Sequence, residues 1–232
     1  MSFGQGGNDS LNLHWFSKKN IGFGFKLNTL FGSGFSHNET LSTFTGTEFY
    51  KYTNKSFSFQ FIPHLCFRHE FKVVSPVLEA GMIIGMAQIN SHYQVTHSFY
   101  TDIIKSTVRD YGGVLLGFYS SLGLSFNVSR VVKINLALNG SVGSYSPTSR
   151  KRTEFTVNGI NQLSALSTSD AFGTYVKELA LPAPPRSNAP SKDLKYSAAF
   201  SNIGLSAGIC FVFAKRHKKE TKKDEPNAVH PF

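Results

Sequence analysis

The sequence is poor in charge, and this deficit sets the first limits on what the chain can be. Only 16% of its 232 residues are Asp, Glu, Lys or Arg, against roughly 25% in an ordinary soluble domain. The two cysteines, Cys66 and Cys210, are too few for a disulfide framework and do not have the spacing of a metal site. No apolar run approaches the roughly 18 residues of a transmembrane helix. The sequence therefore does not predict a helical membrane protein.

Aromatic residues and glycine are abundant. The chain has 22 Phe and 20 Gly, a composition that favours strands and close backbone approach, and its length suits one large all-β domain. The net charge of +10 is concentrated in residues 147–197 and 214–232. Such basic segments are either solvated faces or surfaces that approach anionic lipid headgroups or nucleic acid.

Period-two alternation predicts seven strands with one apolar and one polar face. They are residues 11–16, 21–31, 57–68, 73–88, 113–128, 133–143 and 196–213. The apolar face is a continuous stripe of Phe, Leu and Ile. The other face is mostly Gly, Ser, Asn and Ala rather than the Lys, Glu and Thr of a solvated sheet. Because small residues suit the interior of a narrow barrel, the pattern predicts that the apolar stripe faces lipid.

The connections between these strands alternate between short and long. The short ones are 17–20, 69–72 and 129–132, and the long ones are 32–56, 89–112 and 144–195. This alternation is typical of a transmembrane barrel, which has short periplasmic turns on one side and long extracellular loops on the other.

The segment SAGICFVF, residues 206–213, carries a polar residue, a glycine and two aromatic residues at fixed spacing. Ser206, Gly208, Phe211 and Phe213 resemble the C-terminal β-signal that the barrel assembly machinery of Gram-negative bacteria recognises. Across nearly all of 11–213 the chain resembles the OmpA-like outer-membrane β-barrel domain family. The resemblance implies an antiparallel up-and-down transmembrane β-barrel in the cell outer membrane, with eight strands in the parent fold and about seven present here. It also implies contact with outer-membrane lipid and lipopolysaccharide.

Two features depart from that family. The start of the chain, MSFGQGGNDS, lacks a secretory signal, and a basic tail follows the last strand. We therefore expect that the chain is N-terminally truncated, with the signal peptide and strand one upstream of Met1. Residues 1–10 are interpreted as the remainder of the first extracellular loop, 11–213 as the barrel domain and 214–232 as a disordered periplasmic tail.

Polar residues on the inward face are the candidate functional residues. They are Lys26, Gln60, His64, Arg68, Glu79, Tyr119, Lys133, Asn135 and Asn202. They form either a pore or proton-sensitive gate, or a charge network that fills the interior. The network is favoured because small barrels of this strand number seldom hold a water column. Glu79 is the expected hub, since it is the one strong acid among several bases.

No catalytic set with convincing spacing is present, so we expect neither an enzyme nor a cofactor. His37, His92 and His97 are interpreted as solvated loop residues, and no metal site is expected. The segment SRKR, 149–152, is typical of nucleic-acid patches, but on an extracellular loop it fits lipopolysaccharide phosphates better, so nucleic acid is not an expected partner.

Three functions remain open at this point. The first is a structural, adhesion or surface-interaction barrel that acts through its long basic loops. The second is a narrow porin or small-molecule transport barrel. The third is a soluble lipocalin-like carrier.

Overall fold

The computed structural model describes residues 6–16, 20–43, 46–97, 102–129, 131–178 and 188–213. Within these ranges the chain is all-β, as predicted, with thirteen strands, a single turn of 3₁₀ helix and one short α-helix. The strands are β1 Gly6–Phe16, β2 Ile21–Thr43, β3 Gly46–Arg68, β4 Val74–His97, β5 Ile103–Tyr111, β6 Leu115–Asn127, β7 Val132–Tyr145, β8 Ser149–Val157, β9 Ile160–Asn161, β10 Phe172–Val176, β11 Ser191–Leu194, β12 Ala198–Ala199 and β13 Asn202–Phe211. The α-helix, α1, is Thr168–Ala171. No helix in these ranges is long and apolar enough to cross a membrane.

The main sheet has the strand order β1, β2, β3, β4, β6, β7, β13, and every neighbouring pair is antiparallel. Side chains of β1 contact Glu79 of β4 across two intervening strands, which shows that the sheet is strongly curved. We call the end with the connection 69–72 the lower end and the opposite end the upper end.

The sheet does not close into the predicted barrel. Among the described residues, β1 forms a backbone ladder only with β2, and β13 only with β7. Leu205 of β13 is 85% exposed. Six antiparallel pairings separate β1 from β13. Because this number is even, the two edge strands run in the same direction.

The segments predicted as long loops are mostly strands, which corrects that expectation. β2 and β3 continue upward as a long hairpin, and β4 pairs with β6 along 74–85 and with β5 along 89–96. β8, β10 and β11 follow β5 in the sheet order, with β10 and β11 parallel. We call this upper part, β5 with β8 to β11, the extension. Its strands carry polar residues on both faces, so their hydrophobic alternation is too weak to predict strands.

The first described strand begins earlier in the chain than expected. β1 begins at Gly6 rather than at residue 11, and its first residues pair with β2 from Asn28 to Gly32. They are part of the sheet rather than of a loop. The predicted tail, 214–232, lies outside the described residues.

An apolar cluster fills the concave side of the sheet near its upper end. Its buried members are Leu30, Ile62, Ile83, Ala87, Ile89, Leu115, Tyr119, Tyr145, Ala198 and Phe200. The Tyr145 hydroxyl donates to the carbonyl oxygen of Gly112 at 2.7 Å, which ties the top of β7 to the connection before β6. Below the cluster, the concave face is polar.

Candidate functional site: a polar network on the concave face

The site is built by period-two alternation along the curved strands, because every second side chain points to the concave side. Lys26 of β2, His64 of β3, Glu79 of β4 and Tyr119 of β6 are brought together in this way, as their contacts show. Four strands thus contribute one side chain each to a common centre.

Glu79 lies at this centre and is only 7% exposed. Its Oε2 atom accepts a hydrogen bond from the Tyr119 hydroxyl at 3.0 Å and lies 3.5 Å from Lys26 Nζ. The Lys26 ammonium also contacts the Tyr119 hydroxyl and lies 4.3 Å from the centre of its ring. The Oε1 atom accepts from Asn12 Nδ2 at 3.2 Å and lies 3.0 Å from His14 Nε2. The carboxylate therefore links β1, β2 and β6 to β4.

Two histidines meet beside this carboxylate. His64 is buried, and its Nδ1 lies 3.0 Å from the carbonyl oxygen of Ile62. Because a carbonyl oxygen can only accept, Nδ1 carries the proton, and Nε2 of the neutral ring has a free lone pair. That Nε2 lies 2.9 Å from His14 Nε2.

Two glycines make room for these imidazole rings. Gly24 of β2 pairs with His14 on one side and with His64 on the other. A Cβ atom at Gly24 would lie 2.7 Å from both His14 Cδ2 and His64 Nε2. Gly81 pairs with His64 from the opposite side, and a Cβ atom there would lie 2.6 Å from His64 Cβ. A larger residue at Gly24 would therefore push the two rings apart, and one at Gly81 would clash with the backbone and Cβ atom of His64.

The other predicted residues do not join the Glu79 centre. Above it, the side chain of Gln60 accepts a hydrogen bond from Asn28 and donates one to Ser58, each at 3.0 Å. Below it, Arg68 pairs with Glu70 at 2.6 Å, and Lys133 Nζ lies 3.8 Å from the same carboxylate.

Two further inward residues complete the predicted set. The Asn135 side-chain oxygen is buried and has no hydrogen-bond partner among the described residues. The Asn202 side chain accepts a hydrogen bond from Ser141 at 2.9 Å. The predicted residues therefore form separate groups stacked along the concave face rather than one network.

Three residues of the centre were not among the predicted ones: Asn12, His14 and Cys66. Asn12 and His14 alternate with Leu11, Leu13 and Trp15, so the period-two pattern of β1 contains the signal that places them on the concave face. Cys66 pairs in register with Glu79. His14, Cys66 and Glu79 each bring one ligand atom to within 4.8 Å of the other two, a set that could hold a metal ion.

A second buried acid organises the extension and was also missed. Asp110 accepts hydrogen bonds from the hydroxyls of Tyr175 at 2.8 Å and Tyr196 at 2.7 Å, and from Arg150 Nε at 3.0 Å. Burial and these hydrogen bonds raise the pKa of Tyr175 and of Tyr196. Asp110 of β5 therefore contacts Arg150 of β8, Tyr175 of β10 and Tyr196, which follows β11. Sequence spacing carries no signal for such a long-range cluster.

The predicted assembly signal lies on β13 and just after it. Ser206 accepts a hydrogen bond from Asn139 Nδ2 at 2.7 Å, and Gly208 pairs with Asn135. Phe211 and Phe213 are exposed, Phe213 to 94%. Ser206 thus contacts an inward residue of β7, while both Phe rings remain uncovered.

Comparison of the chain with protein-family models, with curated proteins and with solved structures found no match. The function is therefore inferred from the residues and the geometry of the chain itself.

Proposed function

We propose that the chain is an integral outer-membrane protein whose main sheet lies in the lipid bilayer and whose extension forms a surface for interaction outside it. The observation that carries this proposal is the reversed burial of the main sheet. Its outward apolar residues are exposed: Phe57, Phe59, Phe61, Leu65, Phe67, Leu78, Met82, Ile84, Met86, Leu116, Phe118, Leu122, Leu124, Ile134, Leu136 and Leu138. Its inward polar residues are buried: Ser58, Gln60, His64, Ser75, Glu79, Ser121, Ser125 and Lys133.

Water is a poor solvent for such a surface. Each Å² of apolar area left in water forgoes about 25 cal/mol, and soluble monomers rarely expose contiguous apolar patches beyond a few hundred Å². A lipocalin-like carrier needs the opposite arrangement, with its apolar side chains inside the barrel. The reversed burial therefore favours lipid as the solvent of the outer face.

The height of the apolar surface fits a bilayer. On β3 the outward aromatic residues run from Phe57 to Phe67. Ten residue steps of about 3.3 Å on a strand tilted by about 40° span roughly 25 Å along the membrane normal. This is the height of the apolar band of outer-membrane barrels, about 25 Å.

Closure of the sheet into a barrel is part of the proposal. Each unpaired backbone group in hydrocarbon costs several kcal/mol, so the edges of β1 and β13 need partners in the membrane. Because these edges run in the same direction, one further strand antiparallel to both would close an antiparallel barrel with an even number of strands. The eight-stranded parent fold predicted from the sequence meets this requirement.

A structural or interaction role fits the interior better than transport does. The Glu79 centre and the ion pairs of Glu70 occupy the polar part of the concave face, and the apolar cluster around Tyr145 and Phe200 fills its upper end. The extension and the upper parts of β3 and β4 instead form a groove whose lining includes Lys51, Lys105 and Glu154. We propose that anionic groups such as lipopolysaccharide phosphates contact this basic surface.

The test uses Trp15, the one tryptophan of the chain. It is 79% exposed near the lower end of β1. The chain is refolded in vesicles whose lipids carry bromine either near the headgroup or deep in the acyl chains. We expect the headgroup-proximal bromine to quench Trp15 more strongly, because amphipathic indole rings favour the interface.

A matched variant sets the depth scale. Leu122→Trp in a Trp15→Phe background should be quenched more strongly by the deep bromine. Folding as a monomer in detergent-free buffer, with no quenching at either position, would overturn the membrane proposal.

A further inference from the structure

We propose that the concave face holds a site for a zinc-class divalent metal ion, formed by His14, His64, Cys66 and Glu79. The proposal rests on the side chains of the folded sheet and does not depend on where the sheet resides. It departs from the sequence-based expectation of no metal site, which rested on the spacing of Cys66 and Cys210 and on the interpretation of His37, His92 and His97 as solvated loop residues.

The ligand atoms already converge. His14 Nε2 lies 2.9 Å from His64 Nε2 and 3.0 Å from Glu79 Oε1, and the ligand atoms of His14, Cys66 and Glu79 lie within 4.8 Å of one another. Zinc ligands at about 2.0–2.3 Å in a tetrahedron are separated by roughly 3.3–3.8 Å. The ligand atoms of His14, Cys66 and Glu79 are thus within about 1–1.5 Å of that spacing, and His64 Nε2 lies beside His14 as the fourth candidate ligand.

Neighbouring groups orient two of the ligands as outer partners of metal sites do. The Nδ1 proton of His64 is held by the carbonyl oxygen of Ile62, which leaves Nε2 free to bind a metal ion. Tyr119 donates to Oε2 of Glu79, and Lys26 lies beside the same oxygen. The carboxylate therefore presents Oε1 toward His14.

The backbone also favours this convergence. Gly24 lies between His14 and His64 in the sheet, and Gly81 pairs with His64, so neither places a side chain where the ligands meet. Three strands then supply the ligands, and β2 between them supplies space at Gly24 and the Lys26 ammonium beside Glu79.

The charges of the site suit a divalent transition metal. Two neutral imidazoles, one carboxylate and one thiolate carry a charge of about −2, and with the Lys26 ammonium beside Glu79 the site keeps a net negative charge that attracts a divalent ion. On binding, the Cys66 thiol loses its proton to solvent, the proton on His14 moves from Nε2 to Nδ1, and four metal–ligand bonds form. Magnesium and calcium prefer oxygen ligands throughout and do not fit this set.

The experiment titrates the refolded full chain in detergent micelles, under reducing conditions, with Co²⁺ as a spectroscopic probe. We expect one equivalent to bind, with the intense visible bands of tetrahedral Co²⁺ and a thiolate-to-cobalt charge-transfer band in the near ultraviolet. Zn²⁺ should displace Co²⁺, and Mg²⁺ should not. Cys66→Ser should lose the charge-transfer band, and His14→Ala should lower the affinity by at least about 10-fold.

Cys210→Ser is the matched control. Cys210 lines the cavity that is also lined by His14, Cys66 and Glu79, but it is not one of the residues whose ligand atoms converge. It should bind Co²⁺ like the parent chain. Absence of the charge-transfer band in the parent, or its loss in Cys210→Ser but not in Cys66→Ser, would overturn the assignment.

A measurement on the unmodified chain tests the site even if the variants fail to fold. Zn²⁺ should raise the urea midpoint of unfolding of the parent, because it binds the folded state selectively. An unchanged midpoint at saturating Zn²⁺ would also contradict the site.

Discussion

Arginine substitutions on the outward face test the proposed depth of the main sheet in a bilayer. Leu122 is 61% exposed and lies in a row of leucines at one height, paired with Leu78 on one side and Leu138 on the other. The outward positions of β6 and the residue after it run from Leu116 to Val128, and Leu122 is midway between them. Six residue steps place it about 15 Å from either end, which in the proposed membrane arrangement is close to the bilayer midplane.

The expected cost follows from this depth. An arginine at the midplane of a barrel costs about 2–4 kcal/mol, and near the interface about 0–1 kcal/mol. Leu122→Arg should therefore lower the folding equilibrium constant by roughly 30-fold to 700-fold. Val128→Arg, on the same face at the lower end, should change it less than about 5-fold.

The assay is urea unfolding of the refolded chain in phospholipid vesicles, followed by the heat-dependent shift in gel mobility. Leu122→Val serves as a further control for loss of packing without charge. Equal midpoints for Leu122→Arg and Val128→Arg would refute the reasoning, because a solvated sheet surface has no dependence on depth.

Three further predictions follow from other parts of the structure. Glu79→Gln should lower the free energy of unfolding by about 3–5 kcal/mol, because it leaves the Lys26 ammonium buried without its counterion. In urea unfolding, adding Lys26→Met to this variant should recover part of the lost stability. No recovery would contradict the pairing of Lys26 with Glu79. The pKa values of Tyr175 and Tyr196 are raised on folding, so the stability that the two neutral hydroxyls give the extension is complete below about pH 10 and is lost as pH rises through the folded pKa values. Tyrosinate absorbance should rise as the extension unfolds at high pH. A tyrosine titration with an ordinary pKa would contradict the burial of these hydroxyls. Phe213→Ser should reduce outer-membrane insertion of the full-length protein far more than Phe232→Ser, as measured by the heat-dependent shift in gel mobility. The reverse result would show that the assembly signal does not lie at 206–213.

The main sheet could be predicted from the sequence because its two faces differ so strongly. On β6, Leu116, Phe118, Leu122 and Leu124 alternate with small or polar residues, and the structure exposes these four while burying Ser121. A period of two in hydrophobicity fixes both the strand and its facing. The hydrophobic period therefore predicted the all-β fold and, on β6, which side chains are exposed and which are buried.

The extension could not be predicted in the same way. Residues of β5 such as Lys105, Thr107 and Arg109 lack a continuous apolar stripe, so no hydrophobic period marks the strand. The hydrogen bonds to Asp110 come from residues 40, 65 and 86 positions away. Contacts at such separations depend on the folded topology and leave no local signal.

The meeting of His14 and His64 shows a different limit. Each histidine could be placed on the concave face from its own strand, but their contact depends on the register of β1, β2 and β3. That register aligns Gly24 with both rings. A shift of one residue would move every side chain to the other face, and the sequence pattern alone does not specify which residues lie opposite each other.

The strand β4 belongs to both parts of the molecule, pairing with β6 in the main sheet and with β5 in the extension. This continuity has a mechanical consequence. A force applied to the extension along the strand direction loads many ladder hydrogen bonds of β4 at once, in shear, rather than opening them one after another. The extension is therefore coupled mechanically to the main sheet through β4, down to the level of the Glu79 centre.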